Sequence, residues 1–427
     1  MKRLLTICLF ASLCLSGWAQ QRTLQVTVEN PSSVAKTDAP VVIRLSDVKK
    51  LKFAVTSASV TSNGTNIPCQ LDDLDGDRKN DELAFVINLQ ANESKSLLVT
   101  LNAKANTNSP LSGELEGAAK ARTYADMQLN DKKGKHPFIT RLEAPGKVNV
   151  YSDLYHHGAA FESELTAFRI YFDHRQNIDI YGKVKRQLEL PDTHFYTTPE
   201  QQAQGYGNDV LWAGQSVGCG SLKLWDGSAP QNWTEVETRG QRIISAGPVR
   251  TLVEVSDLGV NGYDVRTLYT LWAGHREVEV CTYLDKPIES TMFCTGVQKY
   301  GPQPESVIRE SEGIAASWGK DYPEQSSDKA RQQFPPEAVG LAVYVPADYR
   351  ISSSESDINC LFTLGKKGQT SFRYYVSFCA DKEANGYHSA SAWFASLDAW
   401  KAELDAPVKV FLLPIQSPDK KVKNSQK

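Results

Sequence analysis

Most familiar catalytic signatures are missing from this chain of 427 residues. It has no HExxH pair, no CxxC pair, and no GxGxxG or GxxxxGKS loop. Those absences remove the common zinc-hydrolase, zinc-ribbon, redox and nucleotide-binding designs, each of which needs its ligands or its backbone turn at fixed spacing. A strong charge of either sign is missing too: 47 Lys and Arg face 50 Asp and Glu, with a pI near 6.2. Nucleic-acid binding through bulk electrostatics is thereby excluded, and an acidic ligand has to be met by local positive charge. Beyond the N-terminus no stretch approaches the roughly 18 apolar residues of a membrane-spanning helix.

The N-terminus has the layout of a secretory signal peptide: Lys2 and Arg3, an apolar run from Leu4 to Leu15, and the small-residue site Gly17-Trp18-Ala19 before Gln20. Cleavage near Ala19 predicts a periplasmic or secreted protein. Cys14 offers a lipoprotein reading, against which stands Leu13, where such processing wants a small residue. Cys69, Cys219, Cys281, Cys294, Cys360 and Cys379 remain after cleavage, at wide and irregular spacings. They fit disulfides in an oxidising compartment and buried thiols equally well, so no bridge is assigned.

What is present is β-forming material. Runs of β-branched and aromatic residues recur throughout, as at Leu24–Val28, Leu83–Leu89, Ala167–Phe172, Tyr263–Trp272 and Arg373–Phe378. Residues 20–102 read as a small β-domain with further strands near Val41–Leu45, Phe53–Val55 and Leu97–Leu101. The stretch 103–121 lacks both helical and strand periodicity and reads as a linker. Residues 122–415 form a larger β-rich unit, and 416–427 a polar tail. Ser389–Leu404 is the best helix, with Trp393, Leu397, Trp400 and Leu404 on one stripe and a serine to cap it; such a stripe packs a helix onto a sheet.

The segment from Tyr155 to Lys183 carries the strongest functional pattern. Arg169, Tyr171 and Asp173 alternate with Phe168, Ile170 and Phe172; Asp179, Tyr181 and Lys183 alternate with Ile178, Ile180 and Gly182. On strands, that spacing gives one apolar and one ionisable face. With His174–Asn177 as the connection, the two strands form a hairpin whose polar rows meet about 5 Å apart. The resulting platform suits a sugar or a carboxylate, and the bland alternative is a solvent-facing strand pair laced with ion pairs. His156 and His157 precede it; adjacent residues of an extended segment point to opposite sides, so one serves proton transfer more readily than both serve a metal.

Other candidates are weaker. Asp73, Asp75 and Asp77 alternate in a tight turn, which reads either as a calcium or other divalent-cation site or as an Asp/Gly hairpin turn, since two defining EF-hand positions are wrong. No motif calls for any other cofactor. Ser216 and Ser221 sit among small glycines in a strand–turn pattern, which gives triad hydrolysis little support. Glu162, Glu164, Asp173 and Asp179 are the carboxylates a glycoside hydrolase would use. Among the aromatic residues in loops, Trp212 is the candidate for stacking on a sugar.

Tyr155-His156-His157-Gly158, the Phe168–Asp173 and Ile178–Lys183 strands, Gly218-Cys219-Gly220-Ser221-Leu222 and Ala246-Gly247-Pro248-Val249-Arg250 resemble a secreted bacterial family known as a domain of unknown function and typical of polysaccharide-utilisation systems. The later half is similar to the galactose-mutarotase-like supersandwich. The resemblance implies an all-β protein, a small N-terminal β-sandwich followed by a large supersandwich with few helices. It also implies kinship with oligosaccharide dehydratases that act on unsaturated uronyl ends, and hence an acidic oligosaccharide substrate. On that implication His157, Tyr171, Tyr181 and Lys183 are the expected catalytic groups, and His156, Arg169, Asp173, Asp179 and Trp212 the expected substrate-binding ones. A glycoside hydrolase and a noncatalytic periplasmic glycan-binding protein are the alternatives.

Overall fold

A computed structural model of the protein describes residues 20–104, 121–131, 133–290 and 292–414. The expected signal peptide, most of the expected linker and the expected tail lie outside those residues. The protein is all-β, and its strands make two sandwiches. In the small one, a five-stranded sheet packs on a three-stranded sheet around Val26, Val28, Val41, Phe85, Val99 and Leu101. Gln21–Glu29, Lys36–Arg44, Glu82–Leu89 and Ser94–Asn102 are the long strands there, close to the runs that alternation marks. Phe53–Val55 is not a strand; Phe53 packs against the core from a loop whose Val55 carbonyl accepts from Asn80. The C-terminal strand Lys409–Pro414 belongs here as well, since it pairs antiparallel with Gln21–Glu29. The sequence reading assigned it to the large unit, because strand partners so distant in sequence leave no local trace.

In the large sandwich a nine-stranded antiparallel sheet is covered by two five-stranded sheets, with one core shared among them. One covering sheet runs in the order Asn208–Asp209, Ile178–Gly182, Thr166–Tyr171, Gly158–Ser163, Thr123–Asp126. Its inner face carries Phe161, Phe168, Ile170, Ile178 and Ile180, all buried in the shared core. Each such side chain contributes on the order of 2 kcal/mol by leaving water. The helix Ala390–Asp405 is capped by Ser389, whose hydroxyl accepts from Ala392 N at 3.2 Å, and it docks through buried Trp393 and Leu397. No helix among the described residues is long and apolar enough to cross a membrane. All six described cysteines are free thiols.

Candidate functional site: an acid–base cluster on the covering sheet

The hairpin forms in the register that alternation requires, with Arg169 opposite Asp179 and Ile170 opposite Ile178. Its polar face is not bare. Residues 184–212 fold back across it and pin themselves to it through charged groups. Lys183 and Glu162 form a buried ion pair, 1% and 0% exposed. The same ammonium donates to Ser163 O and Gln187 O, while Glu162 accepts from the amides of Glu189 and Leu190. Burial, opposed by Lys183, raises the Glu162 carboxyl. Tyr181 donates to Glu189 at 2.8 Å and packs with Phe195 and Leu190. Lys183 and Tyr181, expected to be catalytic, are therefore sealed fastenings of the cover, because a polar row that meets another layer of chain is buried with its partners.

At the other end of the hairpin Tyr171 and Arg175 keep exposed surface. Arg169 lies buried at its base and spends its donors on the protein: Nε and Nη2 on Asp179 Oδ2 at 3.1 and 2.5 Å, Nη1 on the Tyr196 hydroxyl at 2.8 Å, and Nη2 also on Tyr171 and Asp209 at 3.1 Å each. Its expected contact with substrate gives way to a role as the hub that holds those four side chains. Asp179, expected to bind substrate, is buried beneath it and also accepts from the Tyr171 hydroxyl at 2.9 Å. Asp173 is buried in the hairpin turn, where it holds Arg175 at 2.5 Å. Arg175 lies 4.9 and 5.1 Å from the ring centres of Tyr151 and Tyr171 and keeps 37% of its side chain exposed.

His157 stands across from Tyr171, their ring centres 6.1 Å apart. Its Nδ1 is 3.0 Å from the Tyr151 carbonyl. A carbonyl can only accept, so Nδ1 carries the proton and Nε2 is left as a base. The Tyr151 ring stacks on the imidazole at 3.8 Å. Burial, with Arg169, His156 and Arg175 nearby, lowers the His157 pKa, so the ring is neutral at neutral pH. Its backbone takes the left-handed value φ 67, a strained conformation of the kind that collects at functional sites. The next residue must be glycine, since a Cβ at Gly158 would stand 1.8 Å from Ile170 O. His156, its expected neighbour in substrate binding, points the other way; it is wholly buried with Nε2 on Asp126 at 2.9 Å.

Burial raises the Tyr171 pKa well above its ordinary value, so the group is a phenol and not a phenolate. Burial first, and then the Asp179 carboxylate, also hold the Asp209 carboxyl far above the usual carboxylate range, against the pull of Arg169. Local sequence reasoning missed Asp209 and Arg175: Asp209 reaches the cluster only because it pairs with Tyr181 across the sheet. Trp212 follows three residues later and is 39% exposed.

Elsewhere, the carboxylates that cluster in the acidic turn are Asp73, Asp75 and Asp81, with ligand atoms within 4.8 Å of one another. Asp77, expected among them, turns to Lys79 at 2.7 Å. Gly214-Gln215-Ser216-Val217-Gly218 has GxSxG spacing that the sequence reading overlooked. It is no nucleophile elbow: Ser216 Oγ lies 2.6 Å from Ala213 O and 2.7 Å from Gln298, and no helix follows. A cavity of about 550 Å³ lies between the two sandwiches, lined by Arg44, Glu82, Trp272, Tyr283 and Arg373 among others, and none of the expected site residues borders it.

Fold and site together define an all-β, double-sandwich protein with a histidine–tyrosine cluster set over a buried arginine. The chain belongs to the family described as Domain of unknown function (DUF4861), whose model matches residues 28–410. No curated protein matches it. Among solved structures, a protein in glycosyl hydrolase family 38 from Enterococcus faecalis is similar at 10% identity and a TM-score of 0.44, covering 94% of this chain and 48% of that one. An α-mannosidase from Enterococcus faecalis V583 is similar at 10% identity and 0.37, covering 91% and 46%. The chain thus spans about half the length of those structures.

Proposed function

We propose that this protein is a carbohydrate-active carbon–oxygen lyase that removes water, or another oxygen leaving group, at the unsaturated uronyl end of an acidic oligosaccharide. The observation that carries the reading is the facing pair of a neutral His157 with Nε2 free and a protonated Tyr171. An elimination needs one group of each kind. His157 takes the proton from a carbon activated by the uronate carboxylate, directly or through its conjugated double bond. The electron pair left behind forms the new C=C bond, the C–O bond breaks, and the departing oxygen takes the Tyr171 proton. Tyr171 then regains a proton from the surrounding water, and His157 gives its own up to it. Arg175, the guanidinium that keeps an exposed surface here, meets the carboxylate and stabilises the charge that develops on it.

Hydrolysis by two carboxylates is supported less well. That mechanism sets its pair about 5–9.5 Å apart with the sugar between them. Asp179 and Asp209 instead meet at one guanidinium nitrogen of Arg169, Glu162 is sealed beneath Lys183, and Glu164 is held by Arg122 and Gly274 N. The test is incubation with unsaturated uronyl oligosaccharides, following the conjugated-acid absorbance together with product mass. Loss of one water supports the proposal, gain of one water replaces it with hydrolysis, and binding without a mass change reduces the protein to a glycan-binding module.

A further inference from the structure

The proposed chemistry leaves a buried polar chain at the edge of the same sheet unexplained. Asp126, at the end of the edge strand, receives His156 Nε2 at 2.9 Å, the Tyr124 hydroxyl at 3.0 Å and Gln128 Nε2 at 2.8 Å. A carboxylate only accepts, so the nitrogen and not the oxygen of the Gln128 amide faces it. That nitrogen has a second hydrogen, and it lies 3.0 Å from His194 Nδ1. The Nδ1 is therefore an acceptor, and the proton of the neutral ring sits on Nε2. Among the described residues Nε2 has no protein partner, and His194 is half-buried.

His194 and Phe195 both adopt left-handed backbone, φ 47 and 69, at a cost on the order of 1–2 kcal/mol per residue. The turn that pays this cost aims His194 at Tyr155, 6.0 Å away between ring centres; Tyr155 lies 6.4 Å from Tyr196, and Tyr196 lies 6.4 Å from His157. The His194 ring is thus joined through Tyr155 and Tyr196 to the ring of His157.

We propose that His194 is a substrate-contacting residue, locked as the Nε2–H tautomer so that it donates to a saccharide oxygen beside the sugar held at His157 and Tyr171. Gln128, Asp126 and His156 are its positioning residues. The tautomer assignment stands on geometry alone; the contact with saccharide rests on the function proposed above. Two-bond ¹H–¹⁵N correlation on the full chain labelled at histidine is the first test, with a pyridine-like Nδ1 and a pyrrole-like Nε2 expected for His194. Gln128→Met keeps the volume, removes both N–H groups and is expected to give a mixture of tautomers. A protonated Nδ1 in the unmodified protein, or a tautomer indifferent to Gln128, overturns the relay.

The second test is kinetic. His194→Ala is expected to raise KM about tenfold, the loss of about one hydrogen bond. His194→Asn keeps an N–H donor and tolerates left-handed backbone, and is expected to stay within about threefold of the unmodified protein. An alanine variant with unchanged KM, or an asparagine variant as poor as alanine at equal thermal stability, overturns the contact. Should the unmodified protein turn over no uronyl substrate, the lyase reading fails by itself, and affinity for the same oligosaccharide replaces KM as the readout.

Discussion

In the proposed mechanism His157 and Tyr171 act through single atoms, and substitutions that remove those atoms test them. Tyr171→Phe removes the hydroxyl that bonds Arg169 and Asp179 and is expected to lower kcat by about 10²-fold, with KM nearly unchanged; His157→Ala is expected to cost at least as much. Because burial lowers the His157 pKa, the base is already free at neutral pH. The rate is expected to fall only on the acid side, with its midpoint below 6.5, and a pH profile of kcat/KM reads that limb directly. A midpoint above 6.5 would count against His157 as the base. These two residues were legible in the sequence because they lie within or beside one alternating run. Asp209 was not, since its place at Arg169 comes from a strand pairing some thirty residues away, and Arg175 was lost inside what reads as a connecting turn.

At the scale of the element, alternation located the hairpin and its register, and it named the apolar row that enters the core. It did not tell an open polar face from a covered one, because two-residue spacing is the same whether the row meets water, ligand or another layer of chain. Five of its six residues are shut in, and only Tyr171 keeps exposed surface. Lys183→Met separates the two roles: it leaves Glu162 buried without its partner and is expected to lower stability by about 3–5 kcal/mol in chemical denaturation. Turnover per folded molecule is expected to stay within about twofold. A large loss of turnover in the folded fraction would return Lys183 to the chemistry. The helix at Ala390–Asp405 was legible from its aromatic stripe and serine cap, whereas Cys69–Asp72 and Phe293–Gln298 were missed as strands, the first for its brevity and the second because both of its faces are buried.

At the scale of the molecule, the two sandwiches are fastened by ionic contacts. Arg250 of the large one reaches Asp72 and Glu82 of the small one at 2.7 Å each. His275 lies 2.7 Å from Glu277 through Nδ1 and 2.8 Å from the Asp38 carbonyl through Nε2, so both ring nitrogens face acceptors. Burial alone would lower its pKa, but Glu277 and that carbonyl raise it to about 9. The raised value means that the folded protein binds the proton more tightly than the unfolded chain, whose histidine titrates near 6.5. The stabilisation is therefore complete below about 6.5 and is lost as pH rises through about 9, a difference of about 3 kcal/mol. Denaturation of the unmodified protein and of His275→Gln across that window is expected to show their stabilities converging as pH rises; parallel curves would remove His275 from the seam. The strand Lys409–Pro414, bound to Gln21–Glu29, has a bearing on manufacture. As the chain leaves the ribosome, Gln21–Glu29 emerges before the large sandwich and Lys409–Pro414 after it. Until then the edge of Gln21–Glu29 stays a row of unpaired amides and carbonyls, a template for other chains, so a product that ends before residue 409 is a seed for aggregation.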